Sequence, residues 1–189
     1  MFDDDFLLYY EINIKEDKEK DNENQKKGEC YNIFNKYITK YILDEMSYQK
    51  YAPTNIVFSF GNNNYSQTAQ ENSNLIMTPK IIYTLLNKKI KKIFSGYDYN
   101  FVIDENDKIY SWGLNSEGQC GIPDKKIIKF PNQMKIADLE KDEKIVNIKC
   151  GNKSTFFLSN KNKVYLCGYN LFSKEKYFSP KKIKFSFEK

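Results

Sequence analysis

Lys108 to Gly121 reads K-I-Y-S-W-G-L-N-S-E-G-Q-C-G and carries Trp112, the only tryptophan, and three of the eight glycines in the chain. Ile109 and Ser111 alternate with Tyr110 and Trp112, a period of two that predicts a strand with two distinct faces. At Gly113 the alternation stops, and the chain is expected to turn through Asn115, Ser116, Glu117 and Gly118. Glycine and asparagine enter positive φ at the lowest cost, so the turn has a mechanism.

Working outward, weaker copies of this stretch lie on both sides. Ile56–Ala69 reads I-V-F-S-F-G-N-N-N-Y-S-Q-T-A, and Val164–Lys174 reads V-Y-L-C-G-Y-N-L-F-S-K. Their anchoring glycines, Gly61, Gly113 and Gly168, are separated by 52 and 55 residues. A proline landmark recurs as Pro79-x-x-Ile82, Pro131-x-x-Met134 and Pro180-x-x-Ile183. Ile90–Asn115 aligns without gaps on Ile145–Asn170, with Ile90, Ile93, Gly96, Phe101, Lys108, Tyr110, Gly113 and Asn115 identical to their partners. Lysines and asparagines match by composition in such a chain, but two glycines at fixed offsets inside matched apolar patterns do not.

The repeated unit predicts four short strands, at Pro79–Tyr83 with the proline at its start, Lys91–Ser95, Asn100–Asp104 and Lys108–Trp112, the last two joined as a hairpin. Four antiparallel strands at a period near 50 residues describe a propeller blade, which is stable only when stacked on neighbours. The fold class expected is all-β, a partial β-propeller of two to three four-stranded blades preceded by an N-terminal strand and a short helix. Residues 1–14 are expected to supply that strand and residues 15–29, which hold no apolar side chain, a disordered linker. Residues 30–53 allow two readings, a helix with Ile33, Phe34, Tyr37, Ile38, Tyr41 and Ile42 on one side, or a degenerate blade; the helix is favoured. Residues 54–189 are the repeats.

At these residues the chain resembles the regulator of chromosome condensation repeat, a β-propeller family with the motif W-G-x-N-x-x-G-Q-L-G. Trp112, Gly113, Asn115, Gly118, Gln119 and Gly121 fill the motif, with Cys120 in the leucine place. The first copy fits loosely, with Phe60 for Trp, Ser66 and Ala69 for glycines, and Gly61, Asn63 and Gln67 kept. The third keeps Gly168 and Asn170 but has Cys167, Ser173 and Lys174 for Trp, Gly and Gln. The family's cysteine-glycine step is met by Cys150-Gly151 and by Ser95-Gly96, while Tyr99 and Ser154 stand where the family often has histidine. The resemblance implies structural roles for Gly61, Gly96, Trp112, Gly113, Asn115, Gly118, Gln119, Gly121, Gly151, Gly168 and Asn170. Trp112 is expected between blades, and Gly113–Gly121 as the turn that launches the next one. A full ring of seven units would need roughly 350 residues at this period.

Composition narrows the chemistry. All 30 basic residues are lysine, and there is no histidine, so the chain offers no imidazole base, no His metal ligand and no guanidinium fork. Cys30, Cys120, Cys150 and Cys167 form no C-x-x-C pair, which argues against a zinc site, and the last three are expected as small buried hydrophobes. No cofactor is expected and no nucleophile-base motif points to an enzyme. Residues 1–50 carry 8 Lys against 12 acids, whereas residues 51–189 carry 22 against 13. Lys88, Lys89, Lys91 and Lys92 form a basic run that offers contact to an anionic partner such as nucleic acid; the favoured reading is a lysine-rich edge strand. No stretch approaches the roughly 18 apolar residues of a membrane span, and the acidic start does not read as a secretory signal. These features predict an intracellular chain, cytoplasmic or nuclear, with reduced thiols. The expected function is a non-catalytic protein–protein interaction module that binds a protein partner or itself through exposed blade faces. The resemblance adds a second reading, a guanine-nucleotide exchange factor for a Ran-like small GTPase or a chromatin-associated regulator. A third is a fragment of a larger propeller protein, since Pro180-x-x-Ile183 is taken to open another blade close to Lys189.

Overall fold

Branched and aromatic residues at period two, closed by Gly, Asn and Asp turns, fold into three antiparallel sheets. The computed structural model describes residues 7–10 (as backbone), 56–71 and 74–184. The expected linker 15–29, the segment 30–53 with its helix, and the rest of 1–14 lie outside the described residues. The first sheet has three strands in the order β1 (Leu7–Tyr10), β2 (Ile56–Asn62), β3 (Leu75–Ile81). The second has four: β4 (Ile90–Ser95), β5 (Tyr99–Asp104), β6 (Ile109–Leu114) and β7 (Ile127–Met134). The third repeats it with β8 (Ile145–Cys150), β9 (Ser154–Ser159), β10 (Val164–Asn170) and β11 (Glu175–Ile183). These are blades of a partial propeller.

The phase of the unit differs from the sequence expectation. The Pro79 strand does not open the second sheet; it pairs with β2 and closes the first. Pro131 and Pro180 likewise lie inside β7 and β11, the closing strands of their own sheets, so Pro180 opens no further blade. Gly113–Gly121 correspondingly leads into β7 of the same sheet. Each of these strands lies at a sheet edge, where a missing N–H on the outer side costs no ladder bond. Each also extends at least four residues before its proline, and the first ends at Ile81, followed by a 3-10 turn over Tyr83–Leu85.

Register places β1 within the repeat. Leu7 pairs with Ser59 as Phe101 pairs with Ser111, so β1 holds the place of β5. Four residues connect β5 to β6 and β9 to β10, but 45 connect β1 to β2.

The middle sheet is covered on both faces, and all six residues of β5 are buried. Asn100, Val102 and Trp112 face the first sheet, and Tyr99, Phe101 and Ile103 face the third, where Phe101 meets Phe157 edge-to-face at 5.5 Å. In β9 only alternate residues, Thr155, Phe157 and Ser159, are buried. Among the described residues the opposite face of β9 is partly exposed at Phe156 and Leu158, although Leu166, paired with Phe156, is buried.

Candidate functional site

The joints between sheets are built from the turn after each anchoring glycine. Twelve residues connect β2 to β3 and also β6 to β7. In each of these loops the motif asparagine holds the turn from inside. Asn63 Oδ1 accepts from the Thr68 amide at 3.1 Å and its Nδ2 donates to the Gln70 carbonyl. Asn115 accepts from the Cys120 amide at 2.9 Å and donates to the Ile122 and Lys125 carbonyls. The motif glutamine side chain closes a short ring, accepting from the Tyr65 amide in one loop and the Glu117 amide in the other. Ser59 and Ser111 donate to the carbonyls of Thr68 and Cys120.

The glutamine carbonyl then holds the next sheet. Asn100 Nδ2 and Trp112 Nε1 each donate to the Gln67 carbonyl at 2.8 Å. One unit later the Gln119 carbonyl accepts from Cys167 at 3.3 Å and lies 2.8 Å from the Thr155 hydroxyl. Thr155 and Cys167 stand 55 residues after Asn100 and Trp112, so the joint recurs with smaller side chains.

Gly113 and Gly168 sit at β-bulges with φ of 105° and 89°. A Cβ there would collide with the carbonyl oxygens of Asp98 and Lys153, so the backbone approach itself requires glycine. Gly61 takes the same bulge in the first sheet, and Gly118 and Gly121 turn with positive φ. Ser66 and Ala69 hold positive φ in the corresponding places of the first loop. Gly96 lies against the Tyr99 ring, and Gly151 donates its amide to the Tyr99 hydroxyl. Asn170 departs from its counterparts: it organises a turn of only four residues, 171–174, accepting from the Phe172 amide.

Sequence reasoning missed Tyr99, noted only as a departure from histidine. Its hydroxyl donates to the Ser154 carbonyl at 2.8 Å, accepts from the Gly151 amide at 3.1 Å, and lies 2.9 Å from the Thr155 hydroxyl. The single Thr155 proton serves either that oxygen or the Gln119 carbonyl. Burial pushes the phenol pKa well above its ordinary value. A second cluster was also missed. Glu143, with a fully buried side chain, accepts from Tyr165 at 3.0 Å and pairs with Lys163. Burial pushes its carboxyl up, but hydrogen bonds from Ser159, the Glu140 amide, Tyr165 and Lys163 outweigh it and hold the pKa at about 2. The spacing of Lys163, just before β10, and Tyr165 on it shows no hint of Glu143 twenty residues before Lys163.

The basic run is engaged within the fold. Lys88 lies over the Tyr110 ring at 4.7 Å, Lys89 and Lys91 pair with Glu105 and Asp107, and Lys92 donates to the Val146 carbonyl across to the third sheet. Lys91 and Lys92 lie on β4, an edge strand. Cys120 and Cys167 are fully buried, and burial raises both thiols; the half-buried Cys150 is pushed up to about 12. Such thiols are poor nucleophiles at neutral pH. Among the described residues no group of His, Cys, Asp and Glu is arranged to hold a metal ion, and no helix is long and apolar enough to cross a membrane.

The partly exposed face of β9 is the largest departure from the joints. Phe156 and Leu158 are 37% and 38% exposed, whereas their counterparts Phe101 and Ile103 are 0% and 2% exposed. Beside them Val146 is exposed, and Leu171 and Phe172 stand out at the tip of the short turn.

The sequence profile of the regulator of chromosome condensation (RCC1) repeat matches residues 106–158, and a second profile of that repeat matches residues 90–119. Residues 90–158 carry RCC1-type repeats. It is 30% identical over 113 residues to the human probable E3 ubiquitin-protein ligase HERC4, covering 59% of this chain and 10% of that protein. It is 26% identical over 112 residues to the Arabidopsis thaliana ultraviolet-B receptor UVR8, covering 59% of this chain and 25% of the receptor. The chain thus spans a quarter or less of these two relatives. Among solved structures it is similar to human WBSCR16, with TM-score 0.60, 20% identity, and coverage of 69% of this chain and 35% of that one. It is also similar to yeast RCC1 (Prp20), solved bound to Kap60, with TM-score 0.57, 23% identity, and coverage of 68% and 33%. These likenesses show the propeller fold. The RCC1 repeats here carry the family's turn residues in one copy, with Cys120 in the leucine place, and a tyrosine tether at Tyr99.

Proposed function

We propose that this chain is a non-catalytic protein–protein interaction module, and that the partly exposed face of β9 is the contact surface. One observation carries the reading. Phe156 and Leu158 repeat the positions of Phe101 and Ile103, which in the second sheet are buried against another sheet. An apolar face of this composition gains free energy when covered, at about 25 cal/mol per Å². The four-residue turn 171–174 replaces the twelve-residue loop that holds each of the other joints, so the partner is received on apolar contact and without that carbonyl latch. Sedimentation velocity of the full chain between about 1 and 100 µM tests this against the double variant Phe156→Glu/Leu158→Glu. The reading expects concentration-dependent association, or binding of a candidate propeller-type partner, that the variant abolishes. A parent chain that stays monomeric and binds no such partner, or a variant that associates like the parent, would refute it. The proposed setting is intracellular, cytoplasmic or nuclear, which imaging of the tagged chain checks.

A second reading is guanine-nucleotide exchange on a small GTPase. It is supported by similarity to the mouse RCC1-like G exchanging factor-like protein, 28% identical over 85 residues, 43% of this chain and 18% of that protein. Saccharomyces cerevisiae Prp20p, a protein with binding properties to Gsp1p and histones, shares the fold at 22% identity. Release of a fluorescent GDP analogue from a Ran-type GTPase decides it: no acceleration at micromolar protein removes the idea. Chromatin or nucleic-acid contact has less support, because Lys88, Lys89, Lys91 and Lys92 already have partners within the fold.

A further inference from the structure

We propose that the turn at residues 171–174 seats its apolar tip in the surface of a lipid bilayer. The turns after Gly61, Gly113 and Gly168 lie at one end of the three sheets, together with the β4–β5 and β8–β9 turns. At that end Leu171 and Phe172 are 76% and 90% exposed. Tyr97, also exposed, stands in the same row of turns. Its amide donates to the Gly151 carbonyl, and two residues on the Lys153 carbonyl accepts from the Tyr169 amide at 2.8 Å.

The tip is a knob whose polar groups are paired within the turn. The Phe172 amide donates to Asn170 Oδ1 at 3.0 Å, and Asn170 Nδ2 and the Ser173 hydroxyl both meet the Tyr177 hydroxyl at 3.3 Å. Apolar groups enter lipid at low cost only where the polar groups that accompany them already have partners. Two adjacent apolar side chains on a projecting turn also suit a fluid surface, which deforms around them, whereas a folded partner must offer a pocket of matching shape. Charge separates the two ends of the sheets. The turns at the tip end carry four lysines and four acids, with one ion pair, Lys176–Glu117, beside them. At the opposite end the β3–β4, β5–β6, β7–β8 and β9–β10 connections carry eight lysines and six acids. All the other ion pairs among the described residues lie there. The end without net charge is thus the one that presents Leu, Phe and Tyr, the residue types of a membrane interface. Lys153 and Lys174 form no ion pair among the described residues, and their long stems allow the ammonium groups to stay at headgroup level.

The test is co-sedimentation of the full chain with phosphatidylcholine vesicles. A myristoyl chain binds such a surface with about 10⁴ M⁻¹, and the two side chains offer fewer carbons, so a Kd on the order of 1 mM lipid is expected. Phosphatidylserine at about 30% is expected to change that Kd by less than about fivefold, because the turns carry no net charge. Leu171→Ser/Phe172→Ser, at exposed positions, is expected to keep the parental unfolding midpoint and to weaken binding at least about tenfold. Phe172→Trp is expected to bind like the parent, with tryptophan emission that shifts to shorter wavelength on vesicles and is quenched by brominated acyl chains. The proposal falls if the chain does not sediment with vesicles at about 10 mM lipid, if the double serine variant binds like the parent, or if the Phe172→Trp emission is unmoved. Binding that phosphatidylserine strengthens by about fivefold or more would also overturn it, since charge and not the tip would then hold the surface. Self-association of the parent that the serine variant abolishes, without vesicle binding, would assign the tip to a protein contact and equally overturn it.

Discussion

Tyr99→Phe removes one oxygen from the joint between the second and third sheets and leaves the ring in place. The hydroxyl donates to the Ser154 carbonyl and accepts from the Gly151 amide. Neither group is orphaned by its loss, because the Gly151 amide also donates to the Ser154 carbonyl at 2.8 Å, and Thr155 keeps the Gln119 carbonyl. The cost is therefore that of hydrogen bonds lost and not of stranded polar groups, about 1–2 kcal/mol at 0.5–1.5 kcal/mol per bond. Urea unfolding followed by the fluorescence of Trp112, a single buried probe at the other joint, reads this as a lower midpoint with an unchanged slope. Tyr97→Phe, at an exposed tyrosine, serves as the control and is expected to change nothing beyond about 0.5 kcal/mol. A double-mutant cycle with Thr155→Val should give a coupling of at least about 0.5 kcal/mol, since the two hydroxyls share one network. If Tyr99→Phe unfolds at the parental midpoint, the phenol is not a tether and the account of this joint is wrong.

Three further outcomes follow from the same geometry. Trp112→Ala leaves a cavity at a fully buried position and should cost about 3–5 kcal/mol by denaturant unfolding; the Gln67 carbonyl retains Asn100 as donor, so a much larger loss would contradict the joint described. Gly168→Ala must place a Cβ on the Lys153 carbonyl at φ of 89° and should destabilise by more than about 1–2 kcal/mol, whereas a neutral result by thermal melting would show that the bulge relaxes freely. Glu143 is held at about 2, below its ordinary 4.5, so its contribution is fully present above pH 4.5 and is lost as pH falls toward 2. Glu143→Gln should flatten the fall in melting temperature across that window, and an unchanged pH profile would assign the acid sensitivity elsewhere.

Local chemistry was legible where it acts over a few residues. The turn from Gly113 to Gly121 could be read because positive φ and a self-bonding asparagine are properties of the residues themselves, and the buried ring of Asn115 bonds corresponds to them. The β5–β6 hairpin was legible for the same reason, being a short connection between alternating strands. The phase of the sheets was not. Pro79 and Ile90 are close in sequence, yet the first closes one sheet and the second opens another, and a strand's pattern does not state which neighbour it will pair with. The hold on the next sheet was not legible either: Gln67 and Gln119 close their turns with their side chains but hold the next sheet through backbone carbonyls, which every residue possesses.

By itself, the sequence determined a repeated four-strand unit, its glycine-dependent turns and the lack of imidazole chemistry, because composition and offsets contain all of that. Tertiary structure alone decided that Tyr99 bridges 55 residues to Ser154, that Thr68 buries an unpaired hydroxyl, and that Phe156 and Leu158 remain partly exposed while Phe101 and Ile103 do not. The physical reason is that burial and pairing belong to the contact between two segments, and identical positions in a repeat acquire different fates according to whether another sheet lies against them.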